Sequence, residues 1–274
     1  YGITYTPYTA SGTCKTSSLI HADIAQLKSY GLIRLYGTDC NQTAEVLSAL
    51  ASPRPKNPAS TQPETKIIAA LPDLKNQQQN LNLIITATTT NPTGWTRIHS
   101  IAVGNELLNS AQATAPEIVS AVQTARTTLR AAGYDGPVVA VDTVPSHLQH
   151  PEICQVSDYC AVNCHAFFDD KVTPQEAGRY VRTQVDALRE VHDAKKVVVT
   201  ESGWPHAGMG NGVAVPSAEN QRVAVRALRE EFRFGGEGEE GDVGLVLFSS
   251  FDDLWKVDNA YTFGAEKFWG ILGH

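Results

Sequence analysis

The chain contains 274 residues, of which 42% are hydrophobic and 19% are charged, and its formal net charge is −7. This composition is typical of a globular protein and excludes a disordered one, and the length allows a large core without a structural metal. The negative charge argues against nucleic acid or an anionic membrane as the main partner, and no apolar run approaches the roughly 20 residues that a membrane span requires.

Eight short apolar runs rich in β-branched residues recur along the chain and predict β-strands. Such near-continuous apolar runs are typical of strands buried on both faces of a parallel sheet. The predicted strands are Gly2–Tyr5, Leu32–Tyr36, Lys66–Ala70, Ile98–Val103, Val138–Val141, Tyr159–Asn163, Lys196–Thr200 and Leu245–Ser249.

Helical periodicity fills most of the intervals between these strands. A helix over Ser17–Ser29 places its leucines and isoleucines on one face. Start and end signals mark three more helices, namely Pro116 with Gly133, Thr173 as a cap, and Ser217 as the cap of a helix that runs through Phe232. Alternating strands and helices indicate a closed (β/α)₈ barrel or an open doubly wound sheet. The count of eight favours the barrel, an α/β TIM barrel formed by residues 1–274 as a single domain.

Two segments are predicted to be loops without regular structure. Ser52–Thr65 contains four prolines, and Gly235–Asp242 is acidic and rich in glycine. Strands and helices continue to alternate on both sides of each segment, so neither one indicates a domain boundary.

The five cysteines leave their pairing open. Cys14 and Cys40 each follow a predicted strand, on neighbouring loops, and can form one disulfide. Cys154 can pair with Cys160 or with Cys164, and one thiol must remain free. The alternative is that several of the cysteines are buried thiols in a reduced protein.

Two carboxylates directly follow predicted strands. In a (β/α)₈ barrel the catalytic groups lie at the carboxyl ends of the strands. Glu106 follows the fourth strand in Gly104-Asn105-Glu106, and Glu201 follows the seventh strand in Glu201-Ser202-Gly203-Trp204-Pro205. We therefore expect both side chains to converge on one ligand at the barrel mouth.

Two facing carboxyl groups are what the cleavage of a glycosidic bond requires. One must be protonated to donate to the leaving oxygen, and the other must be ionised to attack or to activate water. Mutual repulsion and partial burial can separate the two pKa values in this way. The alternative is that Glu106 and Glu201 are unrelated residues, each in its own salt bridge.

The motifs VGNELL (Val103–Leu108) and VTESGWP (Val199–Pro205) resemble those of glycoside hydrolase family 17. The resemblance extends over the whole chain, through the segments GITYTPY, LIRLYGTDC, GPVVAVDT and AVNCHAFFD. That family comprises β-1,3-glucan endo-hydrolases and glucanosyltransferases on (β/α)₈ barrels. The segments are most similar to the fungal cell-wall members, which implies a secreted or cell-wall protein that acts on β-1,3-glucan.

The resemblance also implies roles for residues. Glu106 would be the general acid/base, Glu201 the nucleophile of a retaining reaction, and Asn105 the hydrogen-bond partner of the sugar 2-hydroxyl. After the sixth strand this chain has His165, where plant members typically carry a tyrosine. This difference concerns the detail of one subsite rather than the carboxylate pair.

Other polar residues near strand ends are candidates for sugar contacts. Tyr5 and Tyr36 can hydrogen-bond a sugar hydroxyl or a carboxylate, or can simply pack. Arg34 has the inward parity of Tyr36, and because a buried arginine is costly unless paired, we expect it to orient a catalytic carboxylate. The remaining candidates are Asp39, which can instead cap a turn, and Asn163 and His165.

Aromatic side chains suit a polysaccharide cleft because they cover the apolar faces of sugar rings. The candidates are Trp204, Phe167, Phe168, Phe251 and Trp255. Asp252 and Lys256 follow two of them and can bind sugar hydroxyls, and Glu266 can contact Lys256. Trp95 and Trp269 are predicted to be packing residues.

Other chemistries find little support in the sequence. Neither a dinucleotide-binding nor a phosphate-binding glycine motif occurs, and His165 with Asp169 or Asp170 lacks a third metal ligand. We therefore expect no cofactor and no metal, and a monomer that acts on glucan. The alternative from another class is a non-catalytic glucan-binding wall protein or adhesin, which the presence of both carboxylates disfavours.

Overall fold

The computed structural model describes residues 1–51, 64–192, 195–233 and 244–273. Its eight strands are β1 (Gly2–Thr4), β2 (Leu32–Arg34), β3 (Lys66–Leu71), β4 (Ile98–Val103), β5 (Val138–Thr143), β6 (Cys160–Asn163), β7 (Val197–Ser202) and β8 (Gly244–Leu247). They pair in parallel in chain order, and β8 closes on β1. The predicted (β/α)₈ barrel is confirmed, and the open sheet is wrong. The assignment of residues 1–274 to a single domain stays a prediction.

Helices connect successive strands around the outside of the barrel. They are α1 (Ser17–Leu27), α2 (Gln42–Ala51), α3 (Gln77–Thr89), α4 (Ala115–Ala131), α5 (Val144–Gln149), α6 (Pro151–Val156), α7 (Ala177–Val191) and α8 (Ala218–Glu231). The Ser217 hydroxyl accepts the Asn220 N–H at 3.0 Å, which confirms this residue as the cap of α8. No helix in the described ranges is both long and apolar enough to cross a membrane.

The predicted strand boundaries lie within two residues of those observed. The two predicted loops lie mostly or wholly outside the described residues, so their lack of regular structure stays a prediction. Only residues 64 and 65 of the Ser52–Thr65 loop are described, and Gly235–Asp242 lies wholly outside the described residues.

The strands bury both of their faces, as the apolar runs predict. One face packs against the helices and contributes residues such as Ile33, Ile101 and Val199 to the main core. The other face fills the barrel interior with smaller side chains such as Ala70, Ala102 and Val198. Toward the carboxyl ends of the strands this interior becomes polar, and the functional groups lie there.

Two disulfides form, and they settle the alternatives for the cysteines. Cys14 and Cys40 are joined with a Cα–Cα distance of 5.4 Å, as predicted. Cys154 pairs with Cys160 rather than with Cys164, which is buried and free. The first bridge connects the loop after β1 to the loop after β2, on the face of the barrel where the strands end.

The contact between α7 and α8 depends on a glycine. A Cβ atom on Gly178 would lie 2.3 Å from the carbonyl oxygen of Ala227 and 2.9 Å from the Cβ of Glu231. Because the closest atom belongs to the backbone of a packed helix, it cannot move without shifting that helix.

We expect Gly178→Ala to lower the free energy of unfolding by about 2 kcal/mol, because the added methyl overpacks the α7–α8 contact. Helix propensity alone predicts the opposite sign, a stabilisation of roughly 0.5–1 kcal/mol. Urea denaturation checks the value. Gly210→Ala is the control, since its Cβ would meet no atom closer than 3.7 Å. A neutral or stabilising Gly178→Ala would contradict the close approach of the helices.

Candidate active site

A cavity of about 810 Å³ opens at the carboxyl ends of the strands. Both predicted catalytic carboxylates, Glu106 and Glu201, line it. Loops after β1, β2, β6 and β8 form its walls. The site therefore occupies the face at which barrels of this type carry their functional groups.

An irregularity in β7 directs Glu201 toward the cavity. Val197 and Val199 pack against the helices, so strict alternation would direct Glu201 outward as well. The register of β7 shifts between Val199 and Ser202 against β8, and again at Glu201 against β6. Such bulges re-aim side chains next to active sites. As a result Thr200 and Glu201, although adjacent, both face the barrel mouth.

Glu106 reaches the cavity through a turn with an unusual backbone. Gly104 has a φ of +72°, and Glu106 itself has a φ of +53°. The left-handed region costs a non-glycine residue roughly 1–2 kcal/mol. The Glu106 N–H donates to the carbonyl of Val141 on β5 at 3.0 Å, which helps to hold the turn.

The side chain of Arg34 is 1% exposed and lies inside the barrel beside Glu201. Its Nη1 donates to Glu201 Oε1 at 2.8 Å, to Asn163 Oδ1 at 3.1 Å and to the Thr200 carbonyl at 2.9 Å. Its Nη2 donates to Asn105 Oδ1 at 2.6 Å. Arg34 orients Glu201 as the sequence predicts, but it does not line the cavity and so does not contact a ligand there.

Two further side chains donate to Glu201. The Tyr36 hydroxyl donates to Oε1 at 2.7 Å, and His165 Nε2 lies 3.1 Å from Oε2. Burial and the charge of Glu201 raise the pKa of Tyr36, which keeps its hydroxyl protonated as a donor. Each carboxylate oxygen of Glu201 is thus held by at least one donor.

Glu106 has weaker partners than Glu201. Asn163 Nδ2 donates to its Oε1 at 2.8 Å, and Asn109 Nδ2 lies 3.3 Å from its Oε2. Within the described ranges no cation forms an ion pair with Glu106. Asn163 is buried and links the two carboxylates through Arg34, although it does not line the cavity.

These surroundings separate the pKa values of the two carboxyl groups. Burial acts to raise the pKa of Glu201, but the Arg34 charge and the donors His165 and Tyr36 outweigh it and lower that pKa to about 2. Burial and the Glu201 charge raise the pKa of Glu106. The cleft therefore contains one firmly ionised carboxylate and one carboxyl group that favours its proton.

Most predicted contact residues line the cavity. Besides the two glutamates, these are Tyr36, Asp39, Asn105, His165, Phe168, Trp255 and Lys256. Asp39 is the first residue of a short helical turn whose cap position is held by Thr38, and its Oδ1 accepts from Gln42 Nε2 at 2.8 Å, so its sugar contact stays a prediction. Lys256 lies 3.7 Å from Glu266, which confirms the predicted contact.

Besides Arg34, Asn163 and the buried Phe167, four predicted sugar contacts lie away from the cavity and are corrected. The ring of Tyr5 is buried and its hydroxyl donates to Asp23. Trp204 is fully buried and its Nε1 donates to the Val215 carbonyl. Phe251 packs edge-on against Tyr5, and Asp252 contacts His206. Bends in the loops after β1, β7 and β8 direct these side chains away from the mouth, which the strand pattern could not indicate.

The cavity also contains aromatic residues that the sequence interpretation did not include. Tyr8 and the exposed Tyr261 line it, as does Trp269, which was predicted only to pack. Trp269 does pack, against His165 and Phe167, and presents one edge to the cavity. Phe167 itself is fully buried, so its predicted place at the mouth is wrong. Closeness in sequence to Tyr5 could have signalled Tyr8, but Tyr261 and Trp269 lie far along the segment that follows β8, where the strand pattern gives no direction for a side chain.

The described residues gather three potential metal ligands at one place only. These are Cys154, Cys160 and His192, at the barrel wall rather than in the cavity. Because the two cysteines are joined in a disulfide, they are not available as thiolate ligands.

Comparison with known proteins places this geometry in context. Residues 2–270 match the BtgE/BtgC glycoside hydrolase domain. A probable family 17 glucosidase of Saccharomyces cerevisiae is 41% identical over 274 residues, which are 100% of this chain and 65% of that protein. A cell surface mannoprotein of Candida albicans is 40% identical over 274 residues, 100% of this chain and 66% of that protein. The chain thus spans slightly less than two thirds of these relatives.

Solved structures share the fold. A family 17 β-1,3-glucanosyltransferase from Rhizomucor miehei superposes with a TM-score of 0.75 at 21% identity, covering 100% of this chain and 92% of that one. A β-1,3-glucanase and pollen allergen of Cryptomeria japonica gives 0.70 at 18% identity, with coverages of 98% and 94%. At these identities the likeness concerns the barrel alone.

The low pKa of Glu201 predicts a pH-dependent contribution to stability. A carboxyl group whose pKa falls on folding stabilises the folded state above its unfolded pKa, near 4.5, and loses this contribution as the pH approaches 2. We expect Glu201→Gln to lose less free energy of unfolding than the wild type between pH 6 and pH 2, by up to about 3 kcal/mol.

Urea denaturation at a series of pH values checks this expectation. Glu106→Gln is the control, because the pKa of Glu106 is raised and its contribution fades as the pH rises. The Glu106→Gln substitution should not reduce the loss of free energy of unfolding between pH 6 and pH 2. Equal acid-side slopes for wild type and Glu201→Gln would show that Glu201 is not held in its ionised form.

Proposed function

The chain belongs to the BtgE/BtgC glycoside hydrolases of family 17, and on this premise we propose that it cleaves internal β-1,3-glucosidic bonds of β-1,3-glucan with retention of configuration. The observation that carries the proposal is the presence in one cleft of two carboxyl groups whose pKa values are shifted in opposite directions, lowered for Glu201 by Arg34 and its other donors and raised for Glu106 by burial and the Glu201 charge. A glycosidase that works through a covalent intermediate needs an ionised nucleophile and a protonated acid.

In the first step, Glu201 attacks the anomeric carbon and forms a covalent bond to it. The bond to the glycosidic oxygen breaks, and Glu106 gives its proton to that oxygen as the leaving sugar departs. Arg34 and Tyr36 hold Glu201 in place. They also stabilise its negative charge, so they limit its basicity while they fix its direction of attack.

In the second step, Glu106 is ionised and acts as a base. It takes a proton from an acceptor hydroxyl, whose oxygen attacks the anomeric carbon and releases the Glu201 carboxylate. Asn105 lines the cavity, and because Arg34 and Asn163 occupy its Oδ1, its Nδ2 is suited to donate to the sugar 2-hydroxyl. That contact strengthens as positive charge develops on the sugar ring.

Glucan is proposed as the substrate because the cleft is wide and its walls are aromatic. The cavity, of about 810 Å³, is in the size range of small-molecule sites, and it is open to solvent at the exposed rings of Phe168 and Tyr261. Such rings can cover the apolar faces of glucose units. A mutant of the Rhizomucor miehei enzyme, similar in fold, is described in complex with laminaritriose.

Glucanosyl transfer is the second candidate function. It shares the first step, and the acceptor hydroxyl then comes from a second glucan rather than from water. The Rhizomucor miehei enzyme, which shares the barrel, is named a β-1,3-glucanosyltransferase. The third alternative is glucan binding without catalysis. Since one relative is a cell surface mannoprotein, we propose the cell wall or the secreted fraction as the location.

Two variants test the proposed roles. Glu201→Ala should reduce turnover of β-1,3-glucan by at least about 10⁴-fold, because no nucleophile remains. Glu106→Gln should slow natural glucan strongly but should leave the first step with a dinitrophenyl glycoside nearly unchanged, because this leaving group needs no proton. Stopped-flow release of dinitrophenolate measures that step.

Thermal unfolding of both variants serves as the control for folding. A folded Glu201→Ala variant with full activity would remove the nucleophile assignment. If Glu106→Gln slowed the cleavage of natural glucan and of the dinitrophenyl glycoside equally, Glu106 would not be the general acid.

Mass spectrometry of products distinguishes the candidate functions. We expect the wild-type protein to convert a β-1,3-linked oligosaccharide of defined length into shorter products, since water can reach the open cleft. Products longer than the starting sugar would establish transfer. An unchanged substrate beside a folded protein would favour the binding protein over both enzymes.

A further inference from the structure

Asp142, on β5, is a buried acidic residue that does not line the cavity. It is 1% exposed. Its carboxylate accepts three backbone N–H groups, from Leu108 at 2.9 Å, Asn109 at 3.3 Å and Thr143 at 2.8 Å. In the part of the chain that the structure describes, no lysine or arginine forms an ion pair with it. Its negative charge is therefore held mainly by the backbone.

The backbone that Asp142 holds belongs to the turn of Glu106. Glu106 has a left-handed backbone, and its N–H donates to the carbonyl of Val141, the residue before Asp142. Two and three residues later, the N–H groups of Leu108 and Asn109 donate to the Asp142 carboxylate. The strand thus holds the turn at both ends. Asn109, fixed in this way, directs its Nδ2 toward Glu106 Oε2.

We propose that Asp142 is a positioning residue for Glu106, which fixes segment 106–109 through backbone hydrogen bonds and places a second carboxylate near the carboxyl group of Glu106. This inference rests on the proposed function, in which Glu106 donates the proton.

The charges around Glu106 determine in which direction its pKa changes when the charge of Asp142 is removed. Burial and the charge of Glu201 on β7 raise the pKa of Glu106, and Asp142 raises it further, whereas Asn163 and His165 lower it. Arg34, on β2, donates to Glu201 and Asn105 rather than to Glu106. His147 on α5 also faces Asp142, but burial lowers its pKa to about 4, so it is neutral near pH 7.

The experiment removes the charge of Asp142 and preserves its shape. In Asp142→Asn the pKa of Glu106 should fall, so the loss of activity on the basic side should begin at a lower pH. With a β-1,3-linked oligosaccharide we expect kcat near pH 7 to fall on the order of tenfold and KM to change less than about twofold. The burst of dinitrophenolate from an activated glycoside should stay within about twofold of wild type.

Asp158→Asn is the matched control. Asp158 also accepts a backbone N–H of β5, from Val138 at 2.6 Å, but at the opposite end of the strand. Its removal should leave the pH profile unchanged. Asn109→Ala is the second variant, in an exposed residue, so that folding is not at risk. This variant should slow the cleavage of the oligosaccharide. The basic side of its pH–activity profile should not move to lower pH, since the Asp142 charge remains.

The outcomes separate this inference from the function on which it rests. The positioning role would be overturned if folded Asp142→Asn lost activity at the same basic pH as the wild type. It would also be overturned if the variant slowed the reactions of the oligosaccharide and of the activated glycoside equally. If Asp142→Asn does not fold, the positioning role would instead be overturned by an Asn109→Ala variant that cleaves the oligosaccharide at the wild-type rate. An inactive wild type, or equal slowing of both substrates by Glu106→Gln, would instead mark failure of the proposed function.

Discussion

The buried guanidinium of Arg34 is the interaction on which the site depends. A charge inside a barrel costs several kcal/mol unless a partner of opposite charge and further hydrogen bonds compensate it. Glu201 supplies the charge, and Asn163, Asn105 and the Thr200 carbonyl supply acceptors. Because Arg34 neutralises Glu201, that carboxylate stays ionised. Glu106 has no cation of its own among the described residues and is left beside the Glu201 charge, which favours its proton.

The same arrangement explains why the backbone departs from regularity at two places. Strict alternation would bury Glu201 against the helices, and the bulge in β7 returns it to Arg34. The left-handed turn at Glu106 directs the second carboxyl group toward Asn163. Such local strain persists only where the surroundings fix it. Here β5 does so through Val141 and Asp142, and the polar interior of the barrel supports the rest.

Outside this polar centre, the cleft depends on loops rather than on strands. The disulfide between Cys14 and Cys40 joins the loops that carry Tyr8 and Asp39. On the other side, the segment after β8 contributes Trp255, Lys256 and Tyr261. The positions of the two carboxylates are thus set by the barrel, whereas the shape of the cavity walls is set by loops.

The sequence by itself predicted the barrel and indicated two carboxylates at the ends of its strands, although Glu201 lies within β7 rather than after it. Apolar runs report burial on both faces, and their number and alternation with helices favoured the barrel over an open sheet, whereas the pairing of β8 with β1 came from the structure. The inward position of Arg34 also followed from its parity with Tyr36. The pattern failed for Tyr5, Trp204, Phe251 and Asp252, because the directions of residues beyond a strand depend on loop bends. Only the tertiary structure decided that Glu201 turns inward against alternation, that Cys154 pairs with Cys160, and that Asp142 holds the turn of Glu106, since each of these depends on contacts between residues distant in sequence or on a register shift between strands.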